Sequence, residues 1–431
     1  MARLTFHQIR QSLRDLTILR VTLLKIGLFC FWPALYLMAA VYRRIWIPSC
    51  QIIVVVGSFG KTTTSQAIAH TLGCGAWSQI EWNNRPGAAL RMLRLRRHHR
   101  FSVLELGIDG PGQMSGVARM IRPDVVVVTS IGSEHLKQFK SLEVTRAEKS
   151  RILEGMTNEG LVILNGDDPN VFWMSKQTKG QIVTCGFSKL NQIRAEDVEF
   201  GFPPTMSLRV IEDRGKFELK TRLTGHSMVF SLLAAYAVAK SAGIDTGETV
   251  QRLAELQPGE RRMEVQPLLH GAWALVDDCK SLPETIDSAL RTLAEIPAVR
   301  TIVVMGEVGG LMGKPRDIDA SCFQYGVKLG KAADLLLLLT RDPQQKSAIK
   351  KGAVESGLSL ENLSDEESLT EAIAYLRRIL QPGDLVLFKG RFSERLVRIV
   401  FALQGRDVSC WVTTCEPRLL SCHRCPNLSR S

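Results

Sequence analysis

Residues 51–72 read QIIVVVGSFGKTTTSQAIAHTL, and the fold turns on how that stretch is parsed. Five consecutive apolar residues, Ile52 to Val56, suit a strand buried on both faces of a parallel sheet, and Thr63 to Leu72 reads as a helix. Gly57-Ser58-Phe59-Gly60-Lys61-Thr62 must turn tightly between them. Glycines in such a turn let backbone N–H groups approach phosphate oxygens, and the following helix N-terminus adds partial positive charge. Lys61 can reach the outer phosphates and the Thr62 hydroxyl can ligate Mg2+. The general phosphate-loop pattern asks for a glycine where Val55 stands, so this is a shortened G-x-x-G-K-T-T loop. It is expected to bind ATP through Gly57, Ser58, Gly60, Lys61, Thr62 and Thr63.

Outward from this stretch the chain keeps alternating strand-like and helix-like segments, the pattern of an α/β fold with a mainly parallel sheet. Strands are predicted at 103–106, 125–129, 161–164 and 181–185; residues 206–223 alternate polar and apolar, and 226–242 form an apolar helix. Gln257-Pro-Gly-Glu-Arg-Arg262 punctuates the chain, and a second α/β pattern follows with strands near 274–276, 301–305, 335–339 and 385–388. The expected organisation is a P-loop parallel-sheet ATPase domain at 50–258 and a Rossmann-like α/β domain at 259–409. A basic-hydrophobic segment, 1–49, precedes them and a Cys-containing tail, 410–431, follows.

The net charge of +12 over 431 residues raises the possibility of nucleic acid, but its distribution argues otherwise. Seven Lys and Arg face the single acid Asp15 within residues 1–50, and no aromatic-basic interleaving accompanies the run RMLRLRRHHR at 91–100. Nucleic acid is therefore not an expected partner. Ile26 to Tyr42 carries no charge for seventeen residues, between Lys25 and Arg43-Arg44. With Trp32, Tyr36, Tyr42 and Trp46 nearby, that composition predicts contact with membrane lipids through residues 1–49, as a shallow or re-entrant anchor or as a span, with Pro33 kinking the helix. A cleaved signal peptide is disfavoured, and an ATP site belongs where ATP is, so the expected location is the cytoplasmic face of a bacterial inner membrane. The ten cysteines are mostly scattered singly, as in reduced proteins; Cys410, Cys415, Cys422 and Cys425, beside His423, fit no familiar zinc spacing.

Open parallel sheets bind ligands beyond the C-terminal ends of their strands, which singles out three more residues. Glu105 ends a predicted strand and sets a carboxylate facing the phosphate loop. His135 follows the apolar strand that begins at Val125, as a Mg2+ ligand or phosphate contact. Lys149, in Arg146-Ala-Glu-Lys149-Ser, reads by itself as a solvated helix lysine.

Together, in this order and spacing, these pieces resemble the Mur ligase superfamily over about residues 52–400. Gly57 to Thr62 matches its ATP loop, Asn83-Asn84-Arg85-Pro86-Gly87 resembles its asparagine-rich turn, and Glu105-Leu106-Gly107 matches its first acidic metal ligand. The resemblance makes His135 a metal ligand and Lys149 the lysine that is carbamoylated to bind a second Mg2+, so that Thr62, Glu105, His135 and Lys149 form the metal set. It places Ser231 where the family has an adenine-contacting asparagine, and Arg262 and Asp278 against the nucleotide from the C-terminal side; Gly383-Asp384 and Lys389-Gly390 resemble a late motif. Within the family the similarity is to the branch that adds D-alanyl-D-alanine to a UDP-muramoyl tripeptide. A short basic-hydrophobic segment stands where that branch has a UDP-sugar domain, and Cys279-Lys280-Ser281-Leu282-Pro283 replaces its second asparagine-rich turn.

The activity this implies is an ATP-dependent ligase that activates a carboxylate as an acyl phosphate and joins it to an amino acid or dipeptide amine. Lys61, His135 and Lys149 would be the catalytic residues, and an envelope or glycan precursor the carboxylate donor. Two other classes share the loop: an idle scaffold of a membrane complex, and a P-loop phosphotransferase or ATPase that makes no amide.

Overall fold

The computed structural model describes residues 31–74, 83–108, 110–134, 136–213, 215–411, 421–425 and 428–429. Strand β1 (Gln51–Val56) lies inside an eight-stranded sheet, and Ile52 to Val56 are fully buried because helices cover both faces. The order is β2 (Phe101–Glu105), β1, β3 (Val125–Val128), β4 (Leu161–Asn165), β5 (Gln181–Gly186), β6 (Ile193–Gly201), β7 (Thr205–Glu212) and β8 (Gly215–Thr221). All pairings from β2 to β6 are parallel, and β6, β7 and β8 continue antiparallel. The alternating stretch 206–223 is thus the β7–β8 hairpin. Strand β6 escapes a pattern search because IRAEDVEFG mixes polar and apolar positions, as strands with a solvated face do.

A second sheet, in the order β13 (Leu363–Asp365), β12 (Leu335–Leu338), β11 (Arg300–Met305), β14 (Asp384–Lys389), β10 (Trp273–Asp277) and β9 (Glu264–Pro267), is parallel except for β9 at its edge. The two sheets are separated by residues 256–263, which hold no regular element. Register aligns the strand ends that matter: Val55 pairs with Glu105 and Val56 with Val128, so the loop after β1 opens beside the ends of β2 and β3.

The N-terminal apolar run differs from expectation. Residues 26–30 lie outside the described residues, and the helix α1 (Trp32–Ile45) begins with Pro33 in its first turn. Proline lacks only an N–H that the first turn leaves unpaired anyway, so Pro33 starts this helix rather than kinking it. At 14 residues it is about 21 Å long, short of the ~30 Å hydrocarbon core. Among the described residues no helix is long and apolar enough to cross a membrane. Instead Leu35, Ala39 and Ala40 are buried in the core that Ala88, Met92, Val117 and Ile121 share, on helices α3 (Arg85–Arg94) and α4 (Met114–Ile121), with α2 (Lys61–Thr71) lying between β1 and α3 in the chain.

Candidate active site

Gly57 has φ +148°, and a Cβ placed there would sit 2.0 Å from Thr129 Oγ1; Gly60 takes the left-handed φ of +78° as the residue before α2. Only glycine tolerates the first position, and it is favoured at the second. The loop between them is pinned to the end of β3: Ser58 N donates to Ser130 O at 2.7 Å, and Phe59 N to Ser130 Oγ at 2.9 Å. The N-terminus of α2 therefore points its unpaired N–H groups into a cleft of about 410 Å3 between the two sheets. Ser58, Gly60, Lys61, Thr62 and Thr63 line it.

Lys61 is nearly buried. Its Nζ donates to Gly57 O at 2.9 Å, Ser58 O at 3.0 Å and Glu134 Oε2 at 3.1 Å. Lys280, from the loop after β10, reaches across the cleft to the other oxygen of Glu134 and to Ser58 O at 3.3 Å. Burial would raise the Glu134 carboxyl, but Lys61 and Lys280, with Lys149 further off, outweigh it and hold it at about 2. Glu284, in the helix α7 (Pro283–Glu295), accepts from Ser133 N and Ser133 Oγ, both at 2.8 Å. These bonds join the second domain to the strand-end loop of the first.

Glu105 lines the same cleft and is oriented by Asn83, whose Nδ2 donates to its Oε1 at 3.0 Å. The asparagine-rich turn has two duties, since Asn84 caps α3 by accepting from Gly87 N at 2.9 Å. Lys149, near the end of the helix α5 (Leu142–Ser150), is not solvated. It is buried beneath the phosphate loop, with Nζ donating to Ser58 Oγ at 3.0 Å. Burial above all, together with Lys61 and Lys280, lowers its amine well below the ordinary lysine range. Thr62 and Glu105 line the cleft with the hydroxyl and carboxylate oxygens that suit Mg2+, whereas Lys149 lies under the loop and is not among the lining residues; its lowered amine is the neutral form that reacts with CO2. His135 lies outside the described residues.

Three expected contacts are placed differently or more narrowly. Ser231, in the helix α6 (His226–Ser241), is buried and its hydroxyl meets Thr64 Oγ1 at 2.8 Å, fastening α6 to α2; Ser227 and Met228 of its first turn face the cleft instead. Asp278 is also buried. It accepts from Arg261 Nε at 2.6 Å and from Val397 N at 3.0 Å, and its neighbour Asp277 lines the cleft, bound to Lys389 Nζ at 2.5 Å. Arg262 does line the cleft, while Arg261 points inward. Glu134 and Lys280 were not singled out by the sequence reading; the signal available was an acid beside His135 and a lysine two residues after an acidic pair. In the tail, His423 lies 3.7 Å from both Glu260 and Glu264, and among the described residues no three His, Cys, Asp or Glu are grouped to hold a metal.

The family model of the Mur ligase middle domain matches residues 55–239, and that of the Mur ligase glutamate ligase domain matches 261–392. Among curated relatives, the UDP-N-acetylmuramoyl-tripeptide–D-alanyl-D-alanine ligase of Mycobacterium tuberculosis H37Rv is 27% identical over 395 residues, covering 86% of this chain and 76% of that protein. The same-named ligase of Synechocystis is 29% identical over 378 residues, with 85% and 76% covered. Of solved structures, MurF from Acinetobacter baumannii superposes with a TM-score of 0.74 at 23% identity, covering 87% of this chain and 81% of that one. MurF from Thermotoga maritima in complex with ADP gives 0.70 at 19%, with 86% and 82% covered.

Proposed function

The chain belongs to the Mur ligase family, and from that premise we propose that it joins a carboxylate of a cell-envelope or glycan precursor to the amine of an amino acid or dipeptide. As a Mur ligase it is an ATP-dependent, amide-forming enzyme. The observation that carries the specific reading is one cleft shared by both domains: phosphate loop, Glu105 and Glu134 on one wall, Arg262, Asp277 and Lys280 on the other. An acceptor carboxylate oxygen attacks the γ-phosphorus of ATP and ADP leaves, giving an acyl phosphate. The amine nitrogen then attacks the carbonyl carbon, phosphate departs with the oxygen it received, and the amine releases a proton. Lys61 and the α2 N-terminus hold the phosphoryl oxygens as their charge spreads. Bound Mg2+ would neutralise further charge, one ion held by Thr62 and Glu105 and another by His135 with a carbamate on Lys149. The bonds from Ser133 to Glu284 hold the two domains together across the cleft, and closure of the domains about them would shield the acyl phosphate from water, while Lys280 turns from Glu134 to the phosphate oxygens.

The reading is tested by phosphate release from Mg-ATP by the full-length protein in detergent. Amino acids and dipeptides, D-alanyl-D-alanine among them, are screened with UDP-muramoyl tripeptide or a membrane extract as acceptor. Release that needs both an amine and an acceptor, and that Lys61→Ala abolishes, is expected. Release indifferent to amine would leave an ATPase or phosphotransferase instead.

A further inference from the structure

We propose that the outward face of α1 and the arginines around it form a docking surface for an anionic phospholipid bilayer, on which the protein lies with α1 along the membrane plane. Of the fourteen large apolar side chains that the described residues expose, six belong to this short stretch: Phe31, Leu37, Met38, Val41, Ile45 and Trp46. Leu37, Val41 and Ile45 recur every four residues and are 63%, 45% and 62% exposed, so they form one stripe opposite the buried Leu35, Ala39 and Ala40. The other eight are scattered from Val144 to Leu360. Isolated exposed apolar residues are ordinary; a contiguous face marks a contact.

The rim names the partner. Arg97 lies over the Trp46 ring at 5.0 Å and Arg85 over Trp32 at 5.4 Å, and Arg44, Arg94 and Arg96 are exposed nearby in the chain. From residue 16 to residue 104 the only acid is Glu81. A second copy of the chain would set these arginines against their own images, and like charges repel. Anionic headgroups complement them, while the apolar stripe enters the headgroup boundary. The preceding sequence, 16–30, is itself acid-free and carries Arg20 and Lys25.

The helix cannot leave the protein to insert across the bilayer without exposing a buried charge. Arg43 donates to Ile47 O at 2.8 Å, Cys50 O at 3.0 Å, Ile121 O at 3.1 Å and Asp124 Oδ2 at 2.9 Å. Cys50 and Asp124 immediately precede β1 and β3, whereas the phosphate loop follows β1, so this anchorage is at the opposite end of the strands from the cleft.

Flotation of the full-length protein with vesicles of phosphatidylcholine, alone or with about one third phosphatidylglycerol, tests the proposal. Binding to the anionic vesicles, weakened by salt, is expected. The exposed double variant Leu37→Asp, Val41→Asp should bind at least about tenfold less while its thermal midpoint and ADP affinity stay unchanged. Arg96→Gln with Arg97→Gln should cost roughly twentyfold on anionic vesicles and little on neutral ones. Wild-type protein that does not float, or a Leu37→Asp, Val41→Asp variant that floats like wild type, overturns the proposal. So does a concentration-dependent dimer of the wild type that this variant abolishes, because the face would then belong to a second copy.

Discussion

Glu134→Gln keeps the size and hydrogen-bonding reach of the side chain and removes its charge. Glu134 is 15% exposed and sits between the ammonium groups of Lys61 and Lys280, which bring its carboxyl from an ordinary 4.5 to about 2. A depression of that size corresponds to about 3 kcal/mol favouring the ionised, folded form. Because the folded pKa is the lower one, this contribution is fully present above the unfolded value of about 4.5 and is lost as the pH falls towards 2. At pH 7.5 the variant should therefore melt roughly 5–10 °C below wild type, by calorimetry without nucleotide, with the gap narrowing below pH 4. The sign reverses for nucleotide. Lys61 and Lys280 must exchange Glu134 for phosphate oxygens, so Mg-free ADP should bind the variant about tenfold more tightly if half of that coupling is given up on binding. Equal melting temperatures and equal ADP affinities would refute the idea that Glu134 occupies the phosphate-binding cations and clasps the domains.

Asp278→Ala leaves the buried Arg261 guanidinium without its carboxylate, and loss of one partner of a buried pair costs about 3–5 kcal/mol; the expected result is a C-terminal domain with a sharply lowered denaturation midpoint, and an unchanged midpoint would contradict it. Ser231→Ala removes one bond between α6 and α2, so stability should fall by about 1 kcal/mol while ATP affinity stays the same; a clear loss of adenine-nucleotide affinity would restore Ser231 as a base contact. Lys149→Ala should abolish turnover while leaving Mg-free ADP binding within a few-fold, and short carboxylic acids should restore part of the rate; full activity without them would rule out a carbamate.

The first half of the site was legible because its determinants are local. An all-apolar strand, two glycines and a lysine within eleven residues specify β1, the phosphate loop and the start of α2 with no help from the rest of the chain. Glu105 was equally visible, as a carboxylate closing a strand. Lys149 was not legible from composition. Nothing in Arg146-Ala-Glu-Lys149 says that this face of α5 turns inward beneath Ser58; only the ordered resemblance to a family pointed there. Asp277 and Asp278 show a second limit. Adjacent residues point to opposite sides, and which one is buried depends on Arg261, whose own left-handed φ of +62° is set by the turn before β9. Similarly, α6 is apolar almost all round, so its sequence did not reveal that Ser231 faces α2 rather than the cleft. The N-terminal run is apolar and basic in its sequence, but its division into a buried and an exposed face depends on helices up to 89 residues away, from Trp32 to Ile121.

The central claim is that ATP activates a carboxylate in this cleft, and hydroxylamine tests it most directly, because it traps an acyl phosphate as a hydroxamate in place of the unknown amine. The full-length protein is incubated with Mg-ATP, hydroxylamine and the acceptor fraction of a membrane extract. The account predicts hydroxamate and ADP in equal amounts, both lost in Lys61→Ala. ADP formed without hydroxamate would contradict it in favour of simple hydrolysis or phosphoryl transfer, and no nucleotide turnover at all would leave a scaffold.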